Sequence, residues 1–172
     1  MDLRVKKTKE SIRRVYLEEK KDKNISEIRV TRLCQLANIN KTTFYKHYKD
    51  IYDLADQIEN QVIAEIIQEC NYLSDLFNDT EKCITNIITT FHNHTDLLKV
   101  VFDTRSTVMI SKAEKQLMDI YLSGLHSKKE EVLIKFCIGG AANVLLNSIE
   151  KEDILDTTAI FVNLIQKMDH YY

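Results

Sequence analysis

The chain of 172 residues contains no proline, no tryptophan and only three glycines. Little therefore interrupts a helix, and few tight turns are available. Alternating β-branched runs are also scarce, so an all-α protein is expected. The four cysteines, Cys34, Cys70, Cys83 and Cys137, lie far apart and form no C-x-x-C pair. Each sits in an apolar helical pattern and reads as a buried free thiol in a reducing cytoplasm, with no disulfide or metal role. No stretch reaches the roughly 18 apolar residues of a membrane span, and no apolar run follows the basic N-terminus as it would in a signal peptide. A Gly-rich phosphate loop, a serine nucleophile elbow and a paired-carboxylate helix motif are all missing. Neither catalytic residues nor a cofactor is expected. His92 and His94 are two apart on a helix and face different ways, which makes a poor metal pair.

What is present is charge of two signs, unevenly placed. Residues 1–49 carry 14 Lys and Arg against 6 Asp and Glu, a net of +8, while residues 50–172 carry 10 against 20, a net of −10. A basic N-terminal unit on an acidic remainder points to polyanion binding at one end only. The hydrophobic fraction of 44% suffices for a buried core. The length suits one domain, or a small domain on a larger one.

Residues 30–48, VTRLCQLANINKTTFYKHY, read as two short helices around a tight turn. Val30, Leu33, Cys34 and Ala37 share one face of the first helix. Asn38 is suited to the left-handed conformation that ends a helix, and Asn40 to the N-cap of the next. Ile39 and Phe44 anchor the second helix on the first. Its other face offers Lys41, Thr42, Thr43, Tyr45, Lys46 and His47, many donors and no acid. That is the make-up of a DNA recognition helix. Lys41, Thr42 and Thr43 at its start are placed for base edges, where threonine can donate, accept or present its methyl to thymine. Tyr45 and His47 suit phosphate or base contacts, and Lys46 a phosphate. A preceding helix over residues 4–20 buries Ile12, Val15 and Tyr16 and turns Lys6, Lys7, Lys9, Arg13 and Arg14 outward, for phosphate contacts that position without reading sequence. Lys20-Lys21-Asp22-Lys23-Asn24 is a polar loop, after which Ile25 and Ile28 pack back.

These residues carry a resemblance. The stretch from Ile28 to Tyr48 with Thr43-Phe44-Tyr45, followed by Lys49-Asp50 and Asp53-Leu54, resembles the DNA-binding domain of the TetR family of transcriptional regulators. The lead-in Arg4-Val5-Lys6-Lys7-Thr8-Lys9 and Ile12 match its first helix. The resemblance covers about the first third of the chain. It implies DNA contacts at Thr43, Tyr45 and His47, a homodimer, and repression relieved by a small-molecule effector. Three positions depart from the family pattern: Arg29 replaces a capping Thr, Asn38 replaces the turn Gly, and Ile51 replaces a phosphate-gripping Lys, which leaves Lys49 as the substitute.

Beyond residue 49 the pattern stays helical. Asp50 caps a helix expected to run to about Ser74, with Leu54, Ile58, Val62, Ile66, Cys70 and Leu73 as its buried stripe. Further helices are read over 80–92 (Ile84, Ile87, Ile88 and Phe91 inward), 97–102, 106–123 (Met109, Ala113, Leu117, Ile120 and Tyr121 inward), 129–149 and 153–168. The last two are the most apolar. Gly139-Gly140-Ala141-Ala142 within the former carries a penalty of about 1 kcal/mol per Gly against Ala, which makes sense where another backbone approaches closely. The two helices would pair with their copies in a four-helix interface through Phe136, Gly139, Gly140, Val144, Phe161, Leu164 and Ile165. An effector pocket is expected among the helices spanning 54–121, with Phe77, Phe91, His92, Phe102, Met109 and Tyr121 as candidate lining.

The resulting expectation is an all-α cytoplasmic regulator. Its N-terminal three-helix DNA-binding domain with helix-turn-helix spans residues 1–49, and a helical effector-binding and dimerisation domain spans 50–172. It binds double-stranded DNA at a palindromic operator through Lys41, Thr42, Thr43, Tyr45, Lys46, His47, Lys49 and Lys6, with no membrane partner. The alternative is a TetR-like module controlled by a protein partner in place of a small ligand. A helical enzyme with one basic end is the remaining class, and nothing in the sequence favours it.

Overall fold

The computed structural model describes residues 3–70, 79–103, 105–121 and 154–170, together with positions 128, 131, 132, 135, 136, 139, 140 and 143. Phe77, Val144, Leu73 and Cys137, and the side chain of Tyr121, lie outside the described residues. Among the described residues all regular structure is helical: α1 (Leu3–Lys20), α2 (Val30–Leu36), α3 (Lys41–Tyr45), α4 (Ile51–Glu69), α5 (Thr80–Asn93), α6 (Thr95–Phe102), α7 (Ser106–Tyr121) and α8 (Ile154–His170). Among the same residues no helix is long and apolar enough to cross a membrane. The chain divides into two compact units, one of Met1–Gln61 with Lys99–Asp103, the other of Val62–Leu98 with Thr104–Tyr172.

In the first unit, α2 and α3 have 7 and 5 residues, far below the length at which an isolated helix is stable in water. Packing must hold them. Ile12, Val15 and Tyr16 of α1 are buried with Leu33, Cys34, Ala37, Phe44 and Tyr48, the i, i+3, i+4 stripe that the sequence shows. Phe44 is fully buried, and an aromatic so enclosed typically contributes about 3–5 kcal/mol. The Ser11 hydroxyl donates to the Ala37 carbonyl at 3.2 Å, pinning α1 to the end of α2. Leu54, Ala55 and Ile58 of α4 are buried as well.

In the second unit α5 packs along α8. Cys83, Ile84 and Ile88 are buried on α5, and Thr158 and Ile165, two turns apart, on α8. Ile87 and Phe91, expected inward, are half-buried. Asp79 caps α5 by accepting from the Lys82 amide at 3.2 Å. The α4 stripe continues through Val62, Ile66 and Cys70, but the helix ends at Glu69, not near Ser74. Its last turn tightens, with the Cys70 amide donating to the Ile67 carbonyl at 3.1 Å. There the Cys70 thiol donates to the Ile66 carbonyl at 3.4 Å, and burial pushes its pKa up to about 11. Cys34, Cys70 and Cys83 are all free and buried. His94 Nε2 lies 2.8 Å from Glu69 Oε2, joining the end of α4 to the α5–α6 corner.

On α7, Met109, Ala113 and Leu117 are buried as expected, and Met118 with them. Ile120 is not: it is 52% exposed. The helical residues between 128 and 143 leave Val132 and Phe136 exposed. Gly139 and Gly140 do not mark a close approach within the chain, since a Cβ on either would meet no atom within 4 Å.

Candidate nucleic-acid interface

The site is built from the turn that aims α3. The Ile39 amide donates back to the Cys34 carbonyl at 2.9 Å and the Asn38 amide to the Gln35 carbonyl at 3.2 Å. These are the paired bonds of a Schellman ending. The motif requires a left-handed residue between helix and exit, and Asn38 supplies it at φ 54°. Asparagine tolerates this region through its short polar side chain. The chain then reverses into α3, whose N-cap is Asn40. Its Oδ1 accepts from the Thr43 amide at 2.7 Å and from the Thr43 hydroxyl at 2.8 Å. A cap of this kind typically contributes about 1 kcal/mol. At α2 no such bond forms, because Arg29 occupies the N-cap and its side chain makes no capping contact.

With Phe44 fixed inward, the opposite side of α3 must face solvent. Lys41, Thr42, Tyr45, Lys46 and Lys49 are exposed, Thr43 and His47 half-buried. Tyr45 is 56% exposed, its ring meeting the edge of Phe44 at a centroid distance of 5.4 Å. The Thr43 hydroxyl donates its proton to the Asn40 side chain. Its methyl group and remaining acceptor capacity are what it can offer a base. α3 itself is shorter than the basic stretch: Lys46 is already its C-cap. His47 is held by a further turn, its amide donating to the Phe44 carbonyl at 2.9 Å.

Positive charge converges here from a second element. Lys6 of α1 is exposed and lies 3.9 Å from Glu10, a surface pair too open to neutralise it. Lys9 lies over the Tyr48 ring at 5.8 Å from its centroid, a cation–π contact tying α1 to the residues after α3. Neither this contact nor the Ser11 bond was legible as a pair in the sequence. Only their helical registers were.

The start of α4 closes the site. Asp50 caps it, accepting from the Tyr52 and Asp53 amides at 2.8 and 2.9 Å. Asp53 in turn accepts from the Lys49 amide at 2.7 Å and from Gln57 at 3.1 Å. The backbone of Lys49 is thereby fixed, while Ile51 begins the helix half-buried. The Lys49 amide bond, then the Gln57 bond, hold the Asp53 carboxyl below its ordinary value. Because the folded pKa is the lower one, this stabilisation is complete above the unfolded carboxyl range near 4 and is lost as pH falls through the folded value. Asp53→Asn is therefore expected to flatten the loss of stability below about pH 4, read as melting temperature against pH. An unchanged acid slope would show that Asp53 contributes nothing to it.

The remaining candidates fall elsewhere. Phe102 and Met109 are fully buried, and Phe91 and His92 are half-buried. Phe102 belongs to the first unit and the other three to the second. Phe136 and Leu164 are exposed, Gly139 and Phe161 half-buried, Gly140 exposed, and Ile165 buried. Among the described residues no group of three His, Cys, Asp or Glu could hold a metal ion. No protein-family model and no curated protein matches the chain.

Proposed function

We propose that the protein is a TetR-like transcriptional regulator that binds double-stranded DNA as a homodimer, with α3 entering the major groove of each half-site. The observation that carries this reading is the outward face of α3. Lys41, Thr42, Tyr45 and Lys46 stand exposed on a short helix whose opposite side is locked by Phe44. Basic and amphipathic side chains on a rigid helix are what base-edge and phosphate recognition needs. Lys49, just after α3, and Lys6, one turn before Lys9 on α1, supply backbone contacts. Two-fold symmetry would repeat the helix roughly 34–36 Å away, one turn of B-DNA, and so calls for a palindromic operator. The exposed apolar residues Val132, Phe136, Ile160 and Leu164 of the second unit support the dimer. Release by a small-molecule effector follows from the family resemblance.

The test is a titration against DNA fragments from upstream of the protein's own coding region, at two salt concentrations. Four cations per subunit, Lys6, Lys41, Lys46 and Lys49, give up to eight phosphate contacts per dimer. A loss of roughly 10³–10⁵ in affinity between about 50 and 200 mM salt is then expected on a discrete fragment, with two subunits bound. Weak binding to every fragment alike would overturn operator recognition.

A further inference from the structure

A cleft of about 330 Å³ opens between the C-terminal end of α1 and the last turn of α6, wholly within the first unit. Its cations are Lys20, Lys21, Lys23 and Lys99. Two of these have carboxylate partners: Lys21 pairs with Glu18 at 2.9 Å, and Lys23 with Glu19. The other two differ. Lys20 is only 7% exposed, yet among the described residues it has no ion-pair or hydrogen-bond partner. Lys99, one turn before the end of α6, has none among them either. Removing a charge from water without a partner is unfavourable, and buried charges are as a rule paired. Lys20, so enclosed, is one of the residues that line the cleft.

The walls are set rather than loose. The Asn24 amide donates to the Glu27 carboxylate at 2.8 Å, fixing the loop after α1. At the other wall, Asp103 ends α6 in the left-handed region at φ 52°, its amide bonded to the Lys99 carbonyl at 2.8 Å. Asp22 and Asp103 also line the cleft.

We propose that this cleft is a binding site for a small organic phosphate carrying hydroxyl groups. Lys20 and Lys99 take the phosphate, whose charge compensates the unpaired lysines and whose oxygens accept charge-assisted bonds from both sides. Asp22 and Asp103 would repel a second anionic group and instead accept from ligand hydroxyls. The volume agrees, lying at the small end of the ~300–1,000 Å³ of ligand pockets and well above what inorganic phosphate alone would fill. The inference does not rest on the DNA-binding reading and is tested without DNA.

Glucose 6-phosphate, inorganic phosphate and glucose serve as probes, at an ionic strength held constant with chloride. Calorimetric titration should show one saturable site per chain for glucose 6-phosphate, weaker binding of inorganic phosphate and none of glucose. Lys20→Met and Lys99→Met should each weaken glucose 6-phosphate by about tenfold or more. Lys20→Met should also melt no lower than the parent when free of ligand, because it removes a buried unpaired charge; a purely structural lysine would make it melt lower. Absence of saturable binding, or binding that both variants leave intact, would overturn the proposal. So would a melting shift that chloride reproduces, which is screening alone. Lys99 is exposed, so Lys99→Met keeps the test decisive if Lys20→Met does not fold.

Discussion

Replacing Tyr45 and Lys46 together by Ala is expected to lower operator affinity at least about a thousandfold, while the protein remains folded. A specific contact is worth roughly 1–3 kcal/mol, and a two-fold complex loses each contact twice. Four losses of about 1 kcal/mol already reach three decades. Lys46 has a signature of its own. Its removal should reduce the slope of log affinity against log salt by about two for the dimer, one per lost phosphate contact. The fold has little to lose. Tyr45 is exposed, and its only described ring contact is the edge of Phe44, worth about 0.5–1.5 kcal/mol. For a chain of this size that is a fall in melting temperature of roughly 1–6 °C. Affinity measured by fluorescence anisotropy, beside a thermal melt, separates the two effects. Unchanged affinity would remove α3 from the interface, and a collapse of the melt would mean that Tyr45 belongs to the core after all.

Much of this site was legible because it depends on local chemistry. Asn38 and Asn40 announce a helix ending and a helix start, and the Schellman bonds and the Thr43 cap are found where those residues stand. The burial of Phe44 follows from period alone. What the sequence could not carry was the consequence of the cap for its donor: Thr43 looks free until Asn40 is seen to take its hydroxyl proton. Ile120 fails for a different reason. Periodicity places it on the face of Met109 and Ala113, but a period defines a face and not how far the neighbours that cover it extend. In the last turn of α7 Met118 is buried while Ile120 is exposed. The end of α4 at Glu69 is a similar case, since the apolar spacing runs on through Cys70 after the helix has tightened and stopped. Lys20 was read as part of a polar loop. It is 7% exposed and lines one cleft with Lys99, some eighty residues away, a juxtaposition that no local pattern reports.

The other large effect concerns the second unit. Phe136 is 67% exposed and Leu164 is 51% exposed. Val132 lies one turn before Phe136, and Ile160 one turn before Leu164, so each pair forms an exposed apolar stripe among the described residues. Gly139 and Gly140 continue the first stripe with open space where a side chain would be. A second copy is the covering that a two-fold axis provides, and it would place the backbone approach implied by the two glycines between chains and not within one. Substituting Glu for both Phe136 and Leu164 is therefore expected to convert the proposed dimer to a monomer. Each substitution appears twice across a symmetric interface, so two changes alter four positions. At about 2 kcal/mol for each central apolar residue the dissociation constant rises by roughly five to six decades. Sedimentation at micromolar concentration would then show one chain of 20.1 kDa. Helix content should hold, because both side chains face solvent in the single chain. Operator binding should fall with it, since two half-sites engaged by separate chains lose the gain in effective concentration that linkage supplies. A variant that still sediments as a dimer would take this face out of the interface. A variant that is monomeric yet binds the operator with undiminished affinity would separate DNA binding from dimerisation and leave each subunit reading a half-site alone.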